Sequence, residues 1–185
     1  SGLARLQARI WADDDLRLMT ARRMYAWRLG EIVPAKDLNV LRGIEGARMK
    51  ETYALHAQSI GVPWKGRRYD RSDPNAADLP NQALNHAASA IEAAAAIAVC
   101  ATATIPQLGF IHEDPGQSFV LDIADLYRDK VTIPTAFKAA KQAAIDPSQN
   151  IERLTRRMTG RAIADQGVIP AMIDHIKALI EGRDP

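Results

Sequence analysis

The 185-residue sequence contains a single cysteine, Cys100. No disulfide framework can form within the chain, and no cysteine-rich zinc site can be built from it. That usage points to a reducing compartment, the cytoplasm. No stretch reads as a membrane span, because the most apolar run, residues 87–105, is mostly alanine and contains Glu92. The N-terminus shows no signal-peptide core, with Arg5 and Arg9 close behind Leu3. No segment sustains the period-two alternation of a half-buried strand. A glycine-rich phosphate loop, a His-Glu-x-x-His pair and a Gly-x-Ser-x-Gly elbow are all missing, which removes the common nucleotide, zincin and acyl-transfer signatures. Lysine and arginine are absent from residues 76–125, which hold six acids.

What is present reads as a globular chain long enough to bury a core. Hydrophobic residues make up 47% and charged residues 25%, both near ordinary averages. The net charge of +2 hides an uneven spread. Residues 1–75 hold fourteen bases and nine acids, and residues 126–185 hold ten and seven. An acidic segment between basic flanks fits two readings. One is uneven composition in a helix and a loop. The other is an acidic metal-binding centre flanked by bases for a polyanion.

Helical spacing runs through nearly the whole chain and predicts one all-α domain of seven or eight helices. Segments 3–12 and 14–29 are separated by Asp13, Asp14 and Asp15, which suit an N-cap and first turn. A third helix is expected over 39–60, with Gly61 as its C-cap. A polar loop follows to Pro80, then an Ala-rich helix over 81–104, expected to be central and buried. Further helices are expected over 119–128, 134–145, 150–166 and 168–181, with Pro134 in a first turn and Gly167 between the last two. Cys100, on the Ala-rich helix, reads as a small core residue.

Four histidines are present, and His56, His86 and His175 read as structural. His112 differs. It ends the apolar run Leu108-Gly109-Phe110-Ile111 and precedes Asp122 and Asp125, which share a helical face. A carboxylate in an apolar stripe is costly unless it is paired or bound to metal. Glu45 stands among core positions between Gly43 and Gly46. Each mid-helix glycine costs roughly 1 kcal/mol relative to alanine, so the pair fits a place where a backbone or ligand comes close. Glu45, His112 and Asp125 form a candidate metal site. The competing reading pairs the acids with Arg42, Arg48 and Arg128.

The residues around these positions resemble a known family. Arg42-Gly43-Ile44-Glu45-Gly46-Ala47-Arg48, Leu108-Gly109-Phe110-Ile111-His112 and Ser118-Phe119-Val120-Leu121-Asp122-Ile123-Ala124-Asp125 resemble three motifs of the CRISPR adaptation integrase. This is the larger of the two proteins that insert new spacers into CRISPR arrays. Gly66-Arg67-Arg68-Tyr69-Asp70 and Asn81-Gln82 look like its type I-E branch. The resemblance implies a helical catalytic domain over residues 1–185, the family's N-terminal β domain not being included. It implies one Mg²⁺ or Mn²⁺ held by Glu45, His112 and Asp125, with Asp122 as a supporting acid or alternate ligand. The implied function is metal-dependent endonuclease and integrase chemistry, joining a spacer 3′-hydroxyl to the CRISPR repeat by transesterification. The alternative is a non-catalytic helical scaffold in an adaptation complex. Implied partners are double-stranded DNA, the small second adaptation protein and, for the full-length protein, a second copy. A membrane is not among them. Arg42 and Arg128 are expected at phosphate. Lys65, Arg67, Arg68 and Tyr69, with Trp64 interleaved, are expected in a mobile DNA-contacting loop. Tyr69 resembles a family tyrosine near the active site. Glu92 departs from the family, where a tyrosine is frequent. Arg153, Arg156, Arg157 and Arg161 fit a backbone-binding stripe and a plain surface equally.

Overall fold

The computed structural model describes residues 2–30, 37–68 and 77–183. Among them are eight α-helices and no strand, so the protein is all-α. The helices are α1 (Gly2–Ala12), α2 (Asp14–Leu29), α3 (Leu38–Ile60), α4 (Leu79–Ala101), α5 (Ser118–Asp125), α6 (Ile133–Ile145), α7 (Ile151–Asp165) and α8 (Val168–Glu181). A single π-helical turn, Arg128–Thr132, leads into α6, where the sequence suggested a longer α5. The punctuation follows the expected chemistry. Asp13 accepts hydrogen bonds from the Asp15 and Leu16 amides, and Asn150 accepts from Arg153. Gly61 ends α3 at φ +78°, a conformation that residues with a Cβ adopt at a cost.

The helices fall into two compact units, one from Ser1–Ile44, Glu92–Tyr127 and Gly167–Pro185, the other from Glu45–Ile91 and Arg128–Gln166. The boundaries at Ile44 and Ile91 lie inside α3 and α4, so no linker composition marks them. In the first unit α1, α2 and α8 pack together. A core of Ala21, Tyr25 and Leu41 is covered by Leu18, Leu29, Leu38, Ile44 and Ile111. In the second, Met49, Tyr53, Leu84, Ile133 and Phe137 belong to one buried group, with Trp64 packed against it.

Helix α4 is long and apolar enough, by length and composition, to cross a membrane. This corrects the expectation that no stretch qualifies. Its buried residues Ala83, Leu84, Ala87, Ile91, Ala94, Ala95, Ala98 and Val99 repeat at helical spacing and lie within the protein core. The other face is open: Ile97 is 55% exposed, and Cys100 is exposed rather than a core residue because it falls off the buried stripe.

Candidate functional site

Residues 105–113 of the first unit form an irregular segment whose backbone polar groups find partners on four helices. Gln7, fully buried on α1, donates from Nε2 to the carbonyls of Ile105 and Leu108 at 2.9 and 3.0 Å and accepts from the Ile105 amide at 2.7 Å. Ser118, at the start of α5, accepts from the Gly109 amide at 2.9 Å and donates to the Gln107 carbonyl at 2.6 Å. A Cβ on Gly109 would stand 2.7 Å from the carbonyl carbon and the Cβ of Ser118, so only glycine fits there. Arg17 on α2 donates from Nε to the Phe110 carbonyl at 3.1 Å. Arg42 on α3 donates to the Ile111 carbonyl and pairs with Glu113 at 3.3 Å.

Asp122 organises the end of this segment. It is the buried acid of the α5 pair, 1% exposed, whereas the Asp125 side chain is 18% exposed. Asp122 Oδ2 accepts from the amides of Phe110 and Ile111 at 2.5 and 3.1 Å. Its Oδ1 accepts from the His112 amide at 2.9 Å and lies 2.7 Å from His112 Nδ1. Both Asp122 oxygens already accept backbone N–H groups, so the ring nitrogen beside Oδ1 is the donor and Nδ1 carries a proton. In the neutral ring the lone pair is then on Nε2, which faces Asp125 Oδ2 at 3.7 Å. Asp125 Oδ2 also lies 3.8 Å from a terminal guanidinium nitrogen of Arg28 in the last turn of α2.

An imidazole nitrogen and a carboxylate oxygen are suitable donors for a hard divalent cation. Two ligands each about 2.1 Å from one ion stand at most about 4.2 Å apart, and the separation of 3.7 Å lies within that limit. Among the described residues no group of three or more His, Cys, Asp or Glu side chains is assembled to hold an ion. The first unit thus contributes a pair of donors. Glu45 belongs to the second unit and lies one helical turn past Arg42 on α3. A Cβ on Gly43 or Gly46 would meet nothing within 4 Å among the described residues. Close approach of a neighbouring described backbone therefore does not explain these two glycines.

The basic residues are placed unevenly. Arg42 is engaged by Ile111, Glu113 and Asn39. Arg128 opens the π-helical turn and is half-buried. Arg67 donates to Asn81 and Asn85 at 3.1 and 2.7 Å, and the Arg68 amide donates to Asn81 at 2.8 Å. Trp64 stacks on Tyr53 with ring centres 5.2 Å apart and tilts against Phe137 at 5.2 Å. The Trp64 ring thus packs against a core cluster and Arg67 is tied to α4. Lys65 and Arg68 are exposed. Tyr69 lies outside the described residues. Arg153, Arg156, Arg157 and Arg161 lie exposed along α7, and Arg156 pairs with Glu152 at 3.0 Å.

Sequence reasoning missed Gln7, Arg17 and Arg28. Gln7 interrupts the apolar spacing of α1, which was a readable signal for a buried polar role. Arg17 and Arg28 are two among many bases, and nothing local singles them out. The structure also places His175 as a structural residue, its Nδ1 lying 2.8 Å from both the Tyr127 hydroxyl and the Ala171 carbonyl oxygen.

A family model described as CRISPR associated protein Cas1 matches residues 3–164. The CRISPR-associated endonuclease Cas1 of Escherichia coli K12 is 37% identical over 180 residues, covering 97% of this chain and 59% of the relative. The CRISPR-associated endonuclease Cas1 2 of Thermus thermophilus is 38% identical over 177 residues, covering 95% and 53%. The chain thus spans between half and three-fifths of these relatives. A crystal structure titled TtCas1-DNA complex superposes with a TM-score of 0.88 at 36% identity, covering 97% of this chain and 66% of that one. A second, titled TtCas1, gives 0.83 at 35% identity, covering 99% and 68%. The agreement in fold, and in sequence along nearly all of these 185 residues, makes the chain a member of the Cas1 family of CRISPR-associated proteins.

Proposed function

We propose that the protein is the helical catalytic portion of a metal-dependent DNA endonuclease and integrase that acts in CRISPR adaptation. The observation that carries this reading is the orientation of His112, with Nδ1 against Asp122 and Nε2 facing Asp125. In this reading His112 Nε2 and Asp125 are two ligands of one Mg²⁺ or Mn²⁺, and Glu45 is the third on the strength of its motif. Asp122 is the supporting acid that fixes the histidine tautomer. When bound, the cation supplies charge neutralisation at phosphate and at the attacking or leaving oxygen.

The chemistry proposed is phosphoryl transfer. The 3′-hydroxyl oxygen of a spacer strand forms a bond to phosphorus in the CRISPR repeat, and the bond from phosphorus to the leaving 3′-oxygen breaks. With water as nucleophile the same displacement is endonucleolytic cleavage. His112 would serve as a neutral ligand rather than a general base, since a bound cation would take up the Nε2 lone pair. Arg42 and Arg128 are proposed phosphate contacts, Arg42 on exchanging Glu113 for DNA. Lys65, Arg67, Arg68 and Tyr69 are proposed DNA contacts, with Arg67 held by Asn81 and Asn85 in a fixed direction. Double-stranded DNA is the proposed partner, supported by the similar structure whose title includes DNA. The small second adaptation protein and a second copy are proposed for the full-length assembly, working in the cytoplasm.

Calorimetric titration with Mn²⁺ tests the reading. The wild-type protein is expected to release heat that Glu45→Gln, His112→Asn and Asp125→Asn each abolish, with Mn²⁺-dependent DNA cleavage lost in parallel. The second reading, a non-catalytic scaffold, has one observation in its favour: among the described residues no three metal-type side chains cluster. It predicts no Mn²⁺-dependent heat in any variant and DNA binding that is indifferent to chelator.

A further inference from the structure

Asp125 is the last residue of α5, where the negative end of the helix dipole raises the cost of a carboxylate. No basic residue stands in the last turn of α5 to offset it. The offsetting charge comes from another helix. Arg28 lies in the last turn of α2, a position where a cation is favoured. Its terminal nitrogen is 3.8 Å from Asp125 Oδ2, the same oxygen that faces His112 Nε2 at 3.7 Å. Arg28, Asp122, Asp125 and Ile111 border one small cavity of about 10 Å³, room for about one water molecule. The Arg28 side chain is only 4% exposed, so its charge is directed inward and cannot reach a DNA backbone from this position.

We infer that Arg28 is a built-in counter-ion of Asp125 that competes with the divalent cation and so sets how tightly the site binds metal. The inference rests on the metal-site reading proposed above. An arginine beside a ligand oxygen has two opposed effects. In the absence of metal it compensates a partly desolvated carboxylate. With metal present its positive charge repels the cation across a poorly screened interior. Arg28 is therefore a positioning residue that keeps Asp125 in place and keeps the cation exchangeable.

The test is Mn²⁺ titration by calorimetry of wild type, Arg28→Met and Arg28→Lys, with the unfolding midpoint of each measured in chelator. Arg28→Met is expected to bind Mn²⁺ at least tenfold more tightly while unfolding at a lower temperature in chelator. Arg28→Lys, which keeps the charge, should stay within about threefold of wild type. A purely structural arginine would lower the midpoint without tightening Mn²⁺, and that result overturns the inference. Should Arg28→Met fail to fold, Arg28→Gln is held to the same expectation. A double-mutant cycle with Asp125→Asn in chelator judges the pair without any metal: the Arg28 effect should largely vanish in the Asp125→Asn background, and full additivity overturns the pairing. If wild type binds no Mn²⁺, the metal-site reading fails. If wild type binds and Arg28→Met binds no more tightly, only the counter-ion inference fails.

Discussion

Two irregular segments of similar length are held by opposite means. Residues 105–113 look apolar in sequence, yet polar side chains fix their backbone: Gln7, Arg17, Arg42, Ser118 and Asp122. Residues 62–68 look basic and solvated, yet an aromatic stack and Asn81 fix them, with Trp64 on Tyr53 and Phe137. A run of consecutive residues reports its own polarity and says little about that of its partners. The first segment makes its own turn bond from the Leu108 amide to the Ile105 carbonyl and otherwise borrows partners, because buried backbone groups must be paired. The second has a large ring that finds a core.

The difference predicts different consequences of breaking each segment. The largest effect is expected at Asp122. Removing an acceptor of three backbone amides and the His112 ring leaves donors unsatisfied at roughly 1–3 kcal/mol each. Asp122→Ala should cost about 3 kcal/mol or more in urea unfolding and, on the proposed function, abolish metal-dependent cleavage. Trp64→Ala should cost about 2–3 kcal/mol, below the range for a fully buried ring because Trp64 is half-buried. Mn²⁺ affinity should stay at the wild-type value, since the ring packs on Tyr53 and Phe137 and not on a proposed ligand. Loss of Mn²⁺ binding in that variant would erase the distinction between the two segments.

Glycine substitutions sharpen the comparison further. Gly109→Ala forces a Cβ into the Ser118 backbone and should destabilise by about 1–3 kcal/mol. Gly43→Ala and Gly46→Ala meet open space among the described residues and should each stabilise α3 by about 0.5–1 kcal/mol. If those two variants also lose DNA cleavage while gaining stability, the glycines serve a ligand rather than the fold. The smallest effect concerns pH. Burial holds His86 below the ordinary histidine value of 6.5, with Arg156 adding to the shift and Glu152 opposing it. As pH falls through 6.5 the unfolded chain takes up this proton before the folded one does, so stability is lost on the acid side and none is lost above it. His86→Gln should make the decline in unfolding free energy between pH 7 and 5 shallower.

Much of the helical framework was legible because its signals are local. Asp13, Asn150, Gly61, Gly167 and Pro134 each act within one turn, and their placement matched the observed helix ends. The pairing of His112 with Asp122 was legible in part, since both residues stand out chemically. That Asp122 rather than Asp125 is the fully buried acid was not legible, because burial depends on what α5 packs against. Arg28 was illegible for the same reason: its partner is 97 residues away in sequence. The division into two units left no trace because it runs through the middle of two continuous helices.

The central claim is that Asp122 holds His112 with a proton on Nδ1, leaving Nε2 available to the proposed cation. Nitrogen-15 NMR of the His112 ring, recorded before and after Mg²⁺ addition, addresses it directly. The account predicts a protonated Nδ1 and a bare Nε2 at neutral pH, with Mg²⁺ shifting Nε2 and leaving the Nδ1 proton in place. A ring protonated on Nε2, or a bare Nε2 whose resonance ignores Mg²⁺, would contradict it.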